Sequence, residues 1–240
     1  MLSAGVLATG AAALLFAAVF MVGGRVHLRG LVRDRRSMIS FSAGMSAAYV
    51  FVHVMPEMHD ARQAFAESVS VQLRYEGMGI YFLGLIGFLV FYGLDHLRAK
   101  LKESESAGTG FKIHVGGFAA YVWMMAYLLR HKFGEPVSTG LYAVAIGFHF
   151  LTIDHSLRSE HGSVYERSGR HLLAAMALLG WGTGMLVALP PYVLSLLVAF
   201  ISGAIIMNST IMELPSERDG RFLPFVSGGL VFGLILLPLG

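Results

Sequence analysis

The chain predicts an all-α membrane protein with eight transmembrane helices in a 3+2+3 inverted repeat and both termini outside. Three observations carry that expectation. Of 240 residues 55% are hydrophobic and only 14% charged, with a mean hydropathy of +0.65, whereas soluble domains carry about a quarter charged residues. Apolar runs of spanning length follow one another along the chain. Lysine and arginine alternate between rich and poor loops. A helix of about 20 residues crosses a bilayer, so the chain is filled by about eight spans and reads as a single integral membrane domain, 1–240.

The first run, 3–23, has no basic residue ahead of it and is followed by Arg25, Arg29, Arg33, Arg35 and Arg36. A cleaved signal peptide carries its charge before the apolar core, so this run is expected to be a retained helix with its N-terminus outside. The other runs lie at about 38–56, 78–97, 113–129, 139–156, 170–188, 192–214 and 222–239. They are continuous rather than alternating, and only helices and closed barrels satisfy the backbone in lipid, so helices are expected. The odd loops hold five, four, three and two basic residues in turn, and the even loops two, two and none. The positive-inside rule places the odd loops in the cytoplasm. The segment 57–77 is expected to be the longest outer loop, and 98–112, containing KESESAGTG, a flexible cytoplasmic linker.

Two phrases suggest an internal repeat. FSAGMSAAYVFVHVMPE runs from Phe41 to Glu57, and FISGAIIMNSTIMELPSE from Phe200 to Glu217. Both begin F-x-x-G and place a proline twelve residues after the glycine, at Pro56 and Pro215. The third and eighth spans both open with Phe-Leu, at Phe82 and Phe222. Spans one to three then correspond to spans six to eight, with opposite direction, an arrangement that often marks transporters. Gly44, Gly203, Gly182 and Gly184 are read as points of close helix packing.

Ionisable groups inside a span are costly and point to function. His149 lies mid-span in LYAVAIGFHFLTIDHSL, with Asp154 and His155 toward the inner end. Consecutive helical positions diverge by about 100°, so Asp154 and His155 cannot both face one cavity. His53 and Glu57, four residues apart, share a helix face near the outer end of span two, with Pro56 loosening the local geometry. His114 stands at the start of span four. Plainer roles fit the same residues: a helix-to-helix hydrogen bond for His149, interface positions for His114 and His155, a solvated loop edge for His53 and Glu57. Asp95, His96 and Glu213 read as interfacial residues, and Asn208, Ser209 and Thr210 as hydrogen-bonding contacts between helices. With no cysteine, a metal site must use nitrogen and oxygen donors, and imidazole with carboxylate suits zinc, iron, manganese or nickel. No H-E-x-x-H, G-x-S-x-G or phosphate-binding loop is present, and no nucleotide domain. Nothing suggests nucleic acid.

The two repeated phrases and AIGFHFLTID together resemble the ZIP (Zrt/Irt-like) metal transporters over the whole chain. The second-span phrase is similar to that family's run of small residues ending His-x-x-Pro-acid, and the seventh-span phrase to its Glu-x-x-Pro. The resemblance implies eight spans, outer termini and divalent metal import, with His149 in place of the fifth-span ligand and His114 in place of the fourth-span histidine. The acid and proline of the fifth-span phrase fall on Ile153 and Thr152, and the Asn and acid of the fourth-span phrase on Val115 and Phe118. The function expected is transport of zinc, or of iron or manganese, toward the cytoplasm, without catalysis or an organic cofactor. His53 and Glu57 would capture the ion, His149 would hold it mid-membrane, and Asp154 and His155 would release it. Two alternatives stand beside it: a ZIP-fold protein that senses or binds without transporting, and an intramembrane metal-dependent hydrolase. The expected partners are the metal ion and the lipid of a bacterial-type inner or plasma membrane, with a homodimer allowed.

Overall fold

The computed structural model describes residues 3–25, 35–69, 76–103, 107–132, 136–212 and 220–237. Of these, 96% are helical and none is in a strand. The helices are α1 (Ala4–Val22), α2 (Arg35–Tyr49), α3 (Met55–Ser68), α4 (Glu76–Glu103), α5 (Ala107–Lys132), α6 (Pro136–Val164), α7 (Arg170–Leu186), α8 (Pro191–Met207) and α9 (Phe222–Leu236). Wider π-helical turns follow α2 at Val50–Val54, α6 at Tyr165–Gly169 and α8 at Asn208–Met212. Five helical stretches are long and apolar enough to cross a membrane: Ala4–Val22, Ile39–Ser68, Met78–Leu101, Pro136–Leu186 and Pro191–Ile211. Phe222–Leu236 is a shorter apolar helix.

The outward surfaces of these helices fit lipid. On α4, Met78, Phe82, Leu85 and Leu89 are all exposed. Their spacing of four, three and four residues lays them along one face. In water such a stripe would be a patch calling for a partner. In a bilayer, acyl chains cover it.

Several helices run past the apolar cores that located them. The segment read as an outer loop from 57 is helical to Ser68. The linker 98–112 is helical up to Glu103 and again from Ala107. The polar residues after Leu157 continue α6, so that no loop separates the fifth and sixth runs. Lys, Arg, Glu and Gln are good helix formers, and nothing in those stretches forces a stop. The break comes at Gly162, whose φ of 53° and ψ of −128° lie where a residue with a Cβ is strained. It splits the 51-residue stretch Pro136–Leu186 into two helices. Pro56 does not interrupt the helix either. The π-turn before it carries the bond Met55 N–H to Val50 O, a wider register that accommodates a residue without a donor.

The chain divides into two compact units. The first, Met1–Val26 with Phe91–Ala188, packs α1, α5, α6, α7 and the second half of α4. Ser3 caps α1, accepting from the Val6 N–H. Thr9 of α1 accepts from the Trp181 indole at 3.2 Å, and the indole lies against Gly10. Gly180 and Gly184 sit against the backbone of α5 at Trp123 and Tyr127. A Cβ built on Gly182 would meet nothing within 4 Å, so the expectation of close packing fails there.

The second unit, His27–Val90 with Leu189–Gly240, contains α2, α3, the first half of α4, α8 and α9. Two helix pairs approach backbone to backbone. A Cβ on Gly44 would strike the Phe225 carbonyl, and one on Gly228 the Phe41 carbonyl, between α2 and α9. Between α8 and α4, a Cβ on Gly203 would strike the Gly84 carbonyl, and one on Gly87 the Phe200 carbonyl. Pro215 and Glu213 lie outside the described residues.

Candidate functional site

Three donors converge in the first unit. His114 comes from the second turn of α5, because that helix begins at Ala107, earlier than the apolar run suggests. Glu160 and His161 come from the end of α6, just before the break at Gly162. His114 Nδ1 lies 3.0 Å from His161 Nε2 and 3.6 Å from Glu160 Oε2. One ligand atom from each residue lies within 4.8 Å of those of the other two. Zinc binds imidazole nitrogen and carboxylate oxygen at about 2.0–2.2 Å, which places neighbouring ligands of a tetrahedral ion about 3.3 Å apart. The two separations from His114 bracket that value and the third lies within 4.8 Å, so the three side chains stand close enough to share one ion of zinc's size.

The surroundings hold these side chains in place. His114 is 1% exposed. Its ring meets Phe118 edge-on at 5.2 Å, and Phe111 meets His161 edge-on at 5.1 Å. Arg98, from the last turns of α4, donates from Nη1 to Glu160 Oε1 at 2.7 Å. It also holds Asp95 Oδ1 through Nε at 3.0 Å and Nη2 at 2.7 Å. The cluster is thus two imidazoles and a carboxylate, backed by an Asp–Arg pair. Among the described residues it is the group of three or more His, Asp or Glu side chains with metal-binding spacing.

The other residues singled out in the sequence lie elsewhere. His149 is buried in α6, with Nε2 2.8 Å from the Tyr121 hydroxyl of α5 and the rings of Tyr121 and Phe150 around it. Ile153 and Phe118, where the resemblance would place acids, are buried apolar residues. Asp154 is 1% exposed and accepts from Arg158 Nη2 at 2.9 and 3.0 Å and from the Tyr165 hydroxyl at 2.7 Å. Arg158 also pairs with Glu166, which pairs with Arg170 at 3.3 Å. Gly23, just past α1, packs against the Asp154 carboxylate. Asp154 therefore ties the two sides of the Gly162 break together. His155, one position on, is exposed.

In the second unit, His53 is buried inside the π-turn after α2, stacked on Tyr49 at 5.2 Å. Its Nε2 is 3.9 Å from Glu57 Oε2, as the four-residue spacing requires. His59 is exposed, beside Gln63 and Tyr81. Of the six residues expected to ligate metal, only His114 belongs to the three-donor cluster. Glu160 and His161 were not singled out in the sequence, where the only local signal is S-E-H-G, two donors ahead of a glycine. No family model, no curated protein and no solved structure matches the chain.

Proposed function

We propose that this chain is a multi-pass membrane protein that binds a divalent transition metal, zinc foremost, and moves it toward the cytoplasm in the manner of the ZIP-like transporters it resembles. The observation that carries the metal reading is the His114–Glu160–His161 cluster, whose donor types and spacings suit zinc. Over their described residues, each of the eight apolar runs lies mainly on a helix, which supports eight spans. With the odd loops inside, Arg98, His114 and His161 fall at the cytoplasmic ends of their helices, at the exit of an inward path. His149 is then the mid-membrane station, beside Tyr121, and His53 with Glu57 the outer pair.

The inverted repeat is part of the same proposal. Phe41 and Gly44 match Phe200 and Gly203, and each pair meets the partner helix through a glycine–carbonyl contact of one pattern. Exchanging span two with seven and span three with eight turns the Gly44–Phe225 contact into Gly203–Gly84, and Phe41–Gly228 into Phe200–Gly87. The π-turns after α2 and α8 also fall at nearly matching positions. These contacts align Gly84 with Phe225, one residue away from the register that Phe82 and Phe222 suggest.

A second reading, metal binding without transport, is favoured by the commitment of Asp154 to Arg158 and Tyr165 and by the buried Ile153 and Phe118. Zinc entry into proteoliposomes, read by an entrapped fluorescent chelator, separates the two. Saturable entry in wild type, lost in His149→Ala with normal protein insertion, is the expected result. Stoichiometric zinc without entry would leave only the binding reading.

A further inference from the structure

We propose that Arg98 sets the metal affinity of the cluster by competing for Glu160, with Asp95 as the residue that takes Arg98 over when the metal binds; this rests on the metal reading of the site. Arg98 reaches two carboxylates at once. Its Nη1 holds Glu160 Oε1, while Nε and Nη2 hold Asp95 Oδ1. Both partners are the same distance away, 2.7 Å at the closest atoms. Letting go of Glu160 therefore leaves Arg98 still paired, and it does not strand a cation in a protected place.

Charge gives the direction. Asp95, Arg98 and Glu160 together carry one negative charge. A dication entering that triad meets a guanidinium of its own sign in contact with its only anionic ligand. In a protected site opposite and like charges at a few ångströms interact strongly. Removing the guanidinium leaves two negative charges and takes away its hold on Glu160 Oε1. Removing the Asp95 charge leaves Glu160 as the carboxylate paired with Arg98 among the described residues, and Arg98 then holds it more tightly. The two substitutions must move affinity in opposite directions. A merely structural Arg98 would behave otherwise: loss of either partner would disorder Glu160 and weaken binding in both.

The test is zinc affinity of the purified full-length chain in detergent, measured by competition with a chromophoric chelator. Arg98→Gln should bind about tenfold tighter than wild type, Asp95→Asn about tenfold weaker, and Arg98→Lys, which keeps the charge, close to wild type. Weaker binding in Arg98→Gln, or an unchanged affinity in both variants beside normal wild-type binding, overturns the role of Arg98 alone. Should Arg98→Gln fail to fold, Asp95→Asn decides: unchanged or tighter binding overturns the proposal. Absence of zinc binding in wild type removes the metal reading and this inference with it.

Discussion

Single side chains here are fixed by what their buried polar atoms can reach. Asp154 is a carboxylate with almost no access to solvent, tolerable because Arg158 and Tyr165 supply donors and charge. Taking away one partner of a buried pair leaves the other charge uncompensated. Arg158→Met should therefore lower stability by about 3 kcal/mol, read as an earlier thermal unfolding midpoint in detergent; an unchanged midpoint would mean that Asp154 is not held by this pair. His149 tells a milder story. Its contact with the Tyr121 hydroxyl is a single hydrogen bond, and Tyr121→Phe should cost about 1 kcal/mol. A loss several times larger would show that the phenol does more than hydrogen-bond. The sequence marked both residues as exceptional because a charge or an imidazole in an apolar run is conspicuous. It could not say which partners they had, since Tyr165 comes after the break at Gly162 and Tyr121 is 28 positions away.

Helices pack closest where glycine removes the Cβ. Gly44 and Gly203 each lie beneath a backbone carbonyl, which cannot move aside as a flexible side chain would. Alanine at either position should destabilise by about 1–3 kcal/mol, while Gly182→Ala, facing open space, should be neutral or slightly stabilising. Equal unfolding midpoints for the three variants would contradict this packing. The glycines were legible because F-x-x-G recurs in two apolar runs. Helix ends were less so. Hydropathy reports where a helix is apolar, and α3, α4 and α6 carry on through Arg, Lys and Glu past their apolar stretches. The cluster was missed for a related reason. Glu160 and His161 stand on a polar continuation that reads as loop, and His114 is 47 positions from His161, so no local motif links them.

At the scale of the molecule, the distribution of basic loops predicts an orientation, and the apolar helix surfaces fit lipid. Orientation is testable without a structure. In intact cells, a cysteine introduced at Ser70 should react with a membrane-impermeant thiol reagent, and one at Ser106 should not, both positions lying outside the described residues. The reverse pattern would turn the protein over and put His114, Glu160 and His161 at the outer mouth. The cysteine-free sequence makes every such label unambiguous. The proposed function requires that these helices bind a transition metal at one place. It is tested most directly by equilibrium dialysis of the purified chain against zinc, with metal counted per protein. Wild type should retain one ion at the cluster that the double variant His114→Ala, His161→Ala does not, while the double variant stays folded and membrane-inserted. Equal zinc content in the two proteins would mean that His114 and His161 hold no metal.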